Sequence, residues 1–214
     1  MLAILRDQYA NQAAPIVISG CLGSRFDAYR PEDIMSEHDA ARYHRSQIAT
    51  FADTEADMVT ALTLTNVPEA VGIARAAEAA GLPVVISFTV ETDGRLPSQM
   101  SLAEAIEQTD AATNGYVTHF MVNCAHPSHF DHVLDRSAPW AARIGGLRAN
   151  ASQLGHAELD EMVELDRGDP DDLAARYVEL RASLPNLHVL GGCCGTDHRH
   201  VAAIAAAWQA STAR

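Results

Sequence analysis

Positive charge is what this sequence lacks most. Lys and Arg together number 15 against 28 Asp and Glu, a formal net charge of −13. A surface of that sign repels nucleic acid and anionic lipid, so neither a nucleic-acid partner nor a membrane surface is expected. No apolar run approaches the roughly 18 residues that span a bilayer. No amino-terminal stretch has the basic, apolar, small-residue layout of a signal peptide. A cytoplasmic protein is therefore the expectation. Cysteine is scarce, four in 214 residues, and in that setting thiols are read as reduced groups or metal ligands before disulfides. A bridge between the neighbours Cys193 and Cys194 would close a strained ring, which disfavours it. No strand-like run is followed by G-x-G-x-x-G, which weakens the case for a doubly wound dinucleotide-binding sheet. No linker or low-complexity stretch interrupts the chain, so residues 1–214 are expected to form one domain.

What is present is alternation. Apolar runs at residues 15–20, 57–62, 82–88, 119–123, 143–148 and 187–190 read as strands. Stretches at 1–12, 37–55, 68–80, from 102 onward, 130–140, 171–184 and 199–210 read as helices. Ser36 is placed to cap the second of these and Gly81 to close the third. Ser101 with Glu104 makes a capping box for the fourth. A long loop rich in Gly, Asp, Tyr and Pro covers residues 21–34. Apolar strands alternating with amphipathic helices imply a parallel sheet with helical crossovers. The strands recur at the interval of a (βα) barrel. The fold class expected is α/β, a parallel (βα) TIM-type barrel. Such a barrel has eight strands, whereas about six are visible here and the chain opens inside a helix. A barrel lacking its first two βα units is the expectation. A differently arranged sheet, or another chain (a homo-oligomer) covering the gap, stays open.

The chemistry-bearing residues gather after two of the apolar runs. Leu190-Gly191-Gly192-Cys193-Cys194-Gly195-Thr196 carries two adjacent thiols among glycines, and about seventy residues upstream Met121-Val122-Asn123-Cys124-Ala125-His126-Pro127 carries a third. Adjacent side chains on a strand point to opposite faces. Both thiols reach one centre only through a local turn, which Gly191, Gly192 and Gly195 permit. Zinc held by three protein ligands keeps its fourth position for water or substrate, the catalytic arrangement. Three thiolates favour sulfur alkylation over hydrolysis, since zinc hydrolases use His and carboxylate ligands.

These two motifs resemble the zinc motifs of the homocysteine S-methyltransferase family, and the resemblance extends over nearly the whole chain. Ser19-Gly20, Ile86-Ser87-Phe88, Asp93-Gly94-Arg95-Leu96 and Asn150-Ala151-Ser152 are also similar to that family's strand ends and turns. The resemblance implies Zn2+ as cofactor with Cys124, Cys193 and Cys194 as its ligands. It implies methyl transfer from a sulfonium donor, S-methylmethionine or S-adenosylmethionine, to the thiolate of homocysteine, giving methionine. Numbered against the family, the first strand here is its strand three, and the aspartate of the family's opening strand has no counterpart. Leu62-Thr63 stands where the family usually has glutamate and threonine for the substrate ammonium, and Glu91 is the candidate replacement carboxylate. Two alternatives remain: a truncated or non-catalytic zinc-binding homologue, and a methyltransferase for a different thiol.

Asn123 and Asn150 sit at strand ends facing the barrel mouth, where binding substrate and stabilising a turn are equally open roles. Cys21 is expected outside the ligand set. His126 and His129 are read as structural neighbours of Cys124, Arg148 as paired with an acidic side chain, and His198, Arg199 and His200 as solvated surface.

Overall fold

The computed structural model describes residues 1–11, 15–27 and 33–212. Gln12, expected in the first helix, and residues 28–32 of the long loop lie outside the described residues. Six parallel strands follow one another in the sheet in chain order: β1 (Ser19–Gly23), β2 (Met58–Leu64), β3 (Val84–Phe88), β4 (His119–Asn123), β5 (Ile144–Ala149) and β6 (Val189–Gly192). The helices are α1 (Leu2–Tyr9), α2 (Glu37–Ala52), α3 (Val67–Ala79), α4 (Leu102–Ala112), α5 (His156–Asp160), α6 (Pro170–Leu180) and α7 (His198–Thr212). This is the α/β arrangement of a TIM-type barrel, curled through six strands with β1 and β6 at its edges.

Side-chain burial shows which face is covered. On β2, Val59, Ala61 and Leu64 are fully buried against the helical layer, while Met58, Thr60 and Leu62 are half-buried on the other face. β3 is buried along its whole length, as expected of a parallel strand packed on both faces. Phe88 and Phe120 stack at 6.1 Å between centroids in the same core. α2 and α3 approach closely because residue 72 is glycine. A Cβ there would lie 2.7 Å from the Ala41 nitrogen and the Glu37 carbonyl oxygen. His44 of α2 meets Glu69 of α3 at 2.9 Å, and the Glu69 carboxylate also accepts the Arg25 amide at 2.8 Å. That contact ties the segment after β1 to the buried side of the helices.

The expected caps are present. The Ser36 hydroxyl accepts the Asp39 amide, Ser101 and Glu104 form the reciprocal capping box, and Gly81 closes α3 with φ 71°. Three differences matter. β1 begins at Ser19 rather than residue 15, because the Ile18 amide is taken by the Asp57 carboxylate (2.7 Å) instead of a strand. Residues 130–140 are not a helix. Short 3-10 turns at Pro127–His129, Asp131–Val133 and Ala141–Arg143 flank a loop there. Asp135 accepts the Ser137 amide (2.9 Å), a local bond that competes with helix formation. Pro139 also disfavours the helical conformation in the residue before it. The short helix α5 was not anticipated.

Candidate metal centre

Cys124 directly follows β4 and has φ 54°, a left-handed conformation that is uncommon for residues other than glycine. Three hydrogen bonds hold it there. Its amide donates to the Arg148 carbonyl (3.1 Å), and its carbonyl accepts from Asn150 Nδ2 (3.0 Å) and His156 Nε2 (2.6 Å). A carbonyl oxygen only accepts, so Nε2 carries the His156 proton in this contact. Past β6 the chain turns sharply: the Thr196 amide and hydroxyl both donate to the Cys193 carbonyl (3.2 and 2.7 Å). Gly195 has φ 77°, and a Cβ there would collide with the Asp166 carbonyl. The turn brings both cysteines to one side, which a flat strand would not do. Asn150 joins the two segments, since its Oδ1 accepts the Cys194 amide (3.1 Å) while its Nδ2 holds Cys124.

The result is a cluster in which the Sγ atoms of Cys124, Cys193 and Cys194 all lie within 4.8 Å of one another. Cys124 is buried, Cys193 half-buried and Cys194 exposed. Zn–S bonds of about 2.3 Å in a tetrahedron set sulfurs about 3.8 Å apart. The Cys124–Cys194 separation is 3.9 Å, so the spacing of this pair and the donor chemistry fit zinc. Cys124 and Cys193 stand in disulfide contact, with Cα atoms 5.5 Å apart. This departs from the expectation of unbridged thiols. Neighbouring strand ends deliver the two residues at a separation that suits a disulfide as well as a shared metal. Three sulfur donors are available when that pair is reduced.

The other anticipated residues divide into two groups. The Asn123 carboxamide is largely occupied: Oδ1 accepts the Thr63 amide (2.8 Å) and the Ser87 hydroxyl (2.6 Å), and Nδ2 donates to Thr63 Oγ1 (2.8 Å). One Nδ2 hydrogen is left for another partner. Glu91 lies beyond β3, where its Oε2 is 3.5 Å from His156 Nδ1. His156 thus stands between Glu91 and the Cys124 carbonyl. Sequence reasoning missed it because it comes 32 residues after Cys124, in no ligand-like spacing.

Cys21 is a free, exposed thiol on β1, outside the cluster. His129 Nε2 donates to the Gln153 carbonyl (2.9 Å), and His126 Nδ1 accepts the Ser128 amide (3.3 Å). Burial first, and His129 second, pull the His126 pKa down to about 4. Arg148 meets the Gly192 carbonyl (3.4 Å), a backbone partner rather than the expected acidic one. His200 is fully buried, with Nε2 on the Arg167 carbonyl (2.8 Å), so it is no surface residue.

The sequence model described as homocysteine S-methyltransferase matches residues 2–208. The chain belongs to the homocysteine S-methyltransferase family. It is 25% identical over 205 residues to homocysteine S-methyltransferase 4 of Zea mays, covering 90% of this chain and 58% of that one. It is 22% identical over 210 residues to homocysteine S-methyltransferase 3 of Arabidopsis thaliana, covering 92% and 59%. The chain thus spans less than two thirds of the length of these curated relatives. The metallated form of the homocysteine methyltransferase MmuM from Escherichia coli superposes with TM-score 0.71 at 19% identity, covering 95% of this chain and 66% of that one. Its oxidized form gives 0.74 at the same identity and coverage. That likeness gives this family member its fold, the TIM-type (βα) arrangement.

Proposed function

We propose that this chain carries the thiol-activating centre of a Zn2+-dependent S-methyltransferase. It would move a methyl group from a sulfonium donor, S-methylmethionine or S-adenosylmethionine, to homocysteine, giving methionine. The observation behind the reading is the convergence of three Sγ atoms within 4.8 Å beyond the carboxyl ends of β4 and β6, the end at which barrel enzymes act. Zn2+, when bound, would supply the positive charge that lets an incoming thiol ionise at neutral pH.

Cys124, Cys193 and Cys194 would hold the ion as thiolates, and their negative charge favours a nucleophilic rather than a hydrolytic centre. Asn150 and His156 fix the backbone that carries two of them. Asn123, through its remaining N–H, and the Glu91 carboxylate are the residues proposed to meet polar groups of the substrate. Asn150 contributes through the cysteine loops it joins. In the transfer itself the homocysteine sulfur lone pair forms the new S–CH3 bond while the donor's C–S bond breaks. That bonding pair goes to the donor sulfur, which departs as a neutral thioether, and the thiol proton has already passed to solvent. The donor loses its charge in the transition state, so alignment and an apolar surround contribute more than a general acid.

The same reading treats residues 1–214 as one domain with small-molecule partners. Among the described residues no helix is long and apolar enough to cross a membrane. A second reading, zinc binding without turnover, draws on the 58% coverage of the maize relative. The test is to reduce the chain, load it with zinc and supply homocysteine with S-methylmethionine or S-adenosylmethionine. Methionine formation that requires both substrates is the expected outcome. Stoichiometric zinc with no methylation of homocysteine or any other supplied thiol would favour the second reading.

A further inference from the structure

At the amino end of the sheet, away from the thiol cluster, the rings of His119 and His188 meet with centroids 5.0 Å apart and planes at 68°. We propose that this pair forms a second, open site for a divalent transition metal such as Zn2+, fastening β4 to β6 across β5. The inference does not depend on the methyl-transfer reading above.

The backbone supplies the first argument. β5 lies between β4 and β6, and its residue bordering both rings is glycine. A Cβ on Gly145 would lie 2.7 Å from His188 Cε1 and 2.8 Å from His119 Cδ2. Each of those carbons is bonded to the Nε2 of its own ring. Both Nε2-bearing edges therefore border one space that any other residue would fill. The His188 amide donates to the Gly145 carbonyl (2.9 Å), which holds the start of β6 in that register.

The state of the donor atoms is the second argument. His188 Nδ1 faces the Asn186 carbonyl at 2.5 Å. A carbonyl only accepts, so Nδ1 carries the proton and a neutral ring presents its lone pair at Nε2. Metal-bound histidines are oriented in this way by their other nitrogen. His119 Nε2 is buried and has no hydrogen-bond partner among the described residues. Burial, His188 and Arg143 hold the His119 pKa down to about 4, so at neutral pH no proton competes with a metal.

Spacing agrees. Two imidazoles bound through nitrogen at about 2.0–2.1 Å to one tetrahedral ion set their centroids about 5 Å apart. An edge-to-face ring contact alone would have a similar spacing, and the unpartnered Nε2 is what favours an ion. The two rings line a cleft of about 490 Å³ together with Thr118, Arg143 and Asn186. His188 is exposed, which gives an ion a path from solvent. The Arg143 guanidinium is matched by the Asp110 carboxylate at 2.6 and 2.9 Å. Asn186 spends its Nδ2 on the Ala142 carbonyl (2.7 Å), so its Oδ1 and water remain for the other positions. Two neutral imidazoles hold zinc less tightly than three thiolates, so this site fills second.

The experiment starts from the reduced chain already carrying one zinc per chain, and further Zn2+ is added by calorimetric titration. The parent is expected to take up a second equivalent. Long-range proton–nitrogen correlation should show the Nε2 resonances of His119 and His188 shifting together. His188→Gln, at an exposed position, and His119→Gln are each expected to weaken the second event at least tenfold. The first zinc and the far-ultraviolet circular dichroism should not change in His188→Gln. Added zinc should also raise the Tm of the parent more than that of His188→Gln, since an ion bound only to the folded chain stabilises it. No second uptake would reduce the pair to an aromatic contact and overturn the proposal. Parent-like uptake in His188→Gln, or shifts confined to other histidines, would overturn it as well.

Discussion

Asn123 grips Thr63 through both ends of its carboxamide: Oδ1 takes the Thr63 amide and Nδ2 reaches the Thr63 hydroxyl, each at 2.8 Å. Thr63 has φ 60°, a left-handed backbone that is an outlier for a β-branched residue. Such strain persists only where the surroundings enforce it, and it gathers at functional sites. Here the enforcing group is the residue directly before Cys124. One side chain thereby joins the end of β2 to the segment that starts the thiol cluster.

Asn123→Ala is expected to destabilise the chain by about 2 kcal/mol, the loss of buried hydrogen bonds, and so to lower Tm by roughly 4–8 °C. In the Asn123→Ala background, Thr63→Gly should cost less than it does alone, because glycine adopts positive φ without a clamp. Thermal unfolding of the four members of this cycle gives the coupling directly. Strict additivity would show that Asn123 does not hold the Thr63 backbone.

Tyr177 of α6 ties β5 to β6, since its hydroxyl donates to the Gly191 carbonyl (2.6 Å) and accepts the Ala149 amide (2.9 Å). Burial pushes its own pKa up, so it stays a neutral donor. Tyr177→Phe leaves a buried amide at Ala149 and a half-buried carbonyl at Gly191 without that partner, at a cost of about 1–3 kcal/mol. The strand it releases leads into Cys193 and Cys194. Competition with a chelator should therefore show weaker zinc retention in Tyr177→Phe as well as a lower Tm.

Acid sensitivity should come in part from His119 at the amino end of β4. Burial first, then the charges of His188 and Arg143, hold its pKa near 4 instead of 6.5. Its Nε2 is buried without a partner among the described residues. The unfolded chain takes up this proton below pH 6.5 and the folded chain only near pH 4. The contribution to stability is thus complete above pH 6.5 and is lost as pH falls from 6.5 toward 4. Replacing His119 with Phe removes the group, and a plot of Tm against pH should become flatter in that window. An unchanged slope would assign the acid sensitivity to other residues.

Much of the architecture is legible in the order of residues because the strands are short, apolar and separated by capped helices. β4 falls at His119–Asn123 as its apolar run implies, and the Ser101–Glu104 capping box starts α4 where the motif places it. Local competition defeats the reading at 130–140. The apolar spacing there is outweighed by the Asp135–Ser137 turn and by Pro139. At the centre, Cys124, Cys193 and Cys194 stand out by type and setting, and they do converge. The residues that aim them were not legible as such. Asn150 was placed at a strand end without its role as a bridge. His156 acts through a backbone carbonyl, a contact that leaves no periodic or motif signal. Burial of His200 likewise depends on the Arg167 carbonyl, contributed from 33 residues away.

The central claim is that three thiols share one zinc ion, and metal content tests it most directly. The reduced parent chain, dialysed against limiting zinc, should retain one ion per chain by elemental analysis. Cys124→Ala, Cys193→Ala and Cys194→Ala should each retain far less under the same dialysis while keeping the parent's far-ultraviolet circular dichroism. Full stoichiometric zinc in all three variants, or none in the reduced parent, would contradict the account.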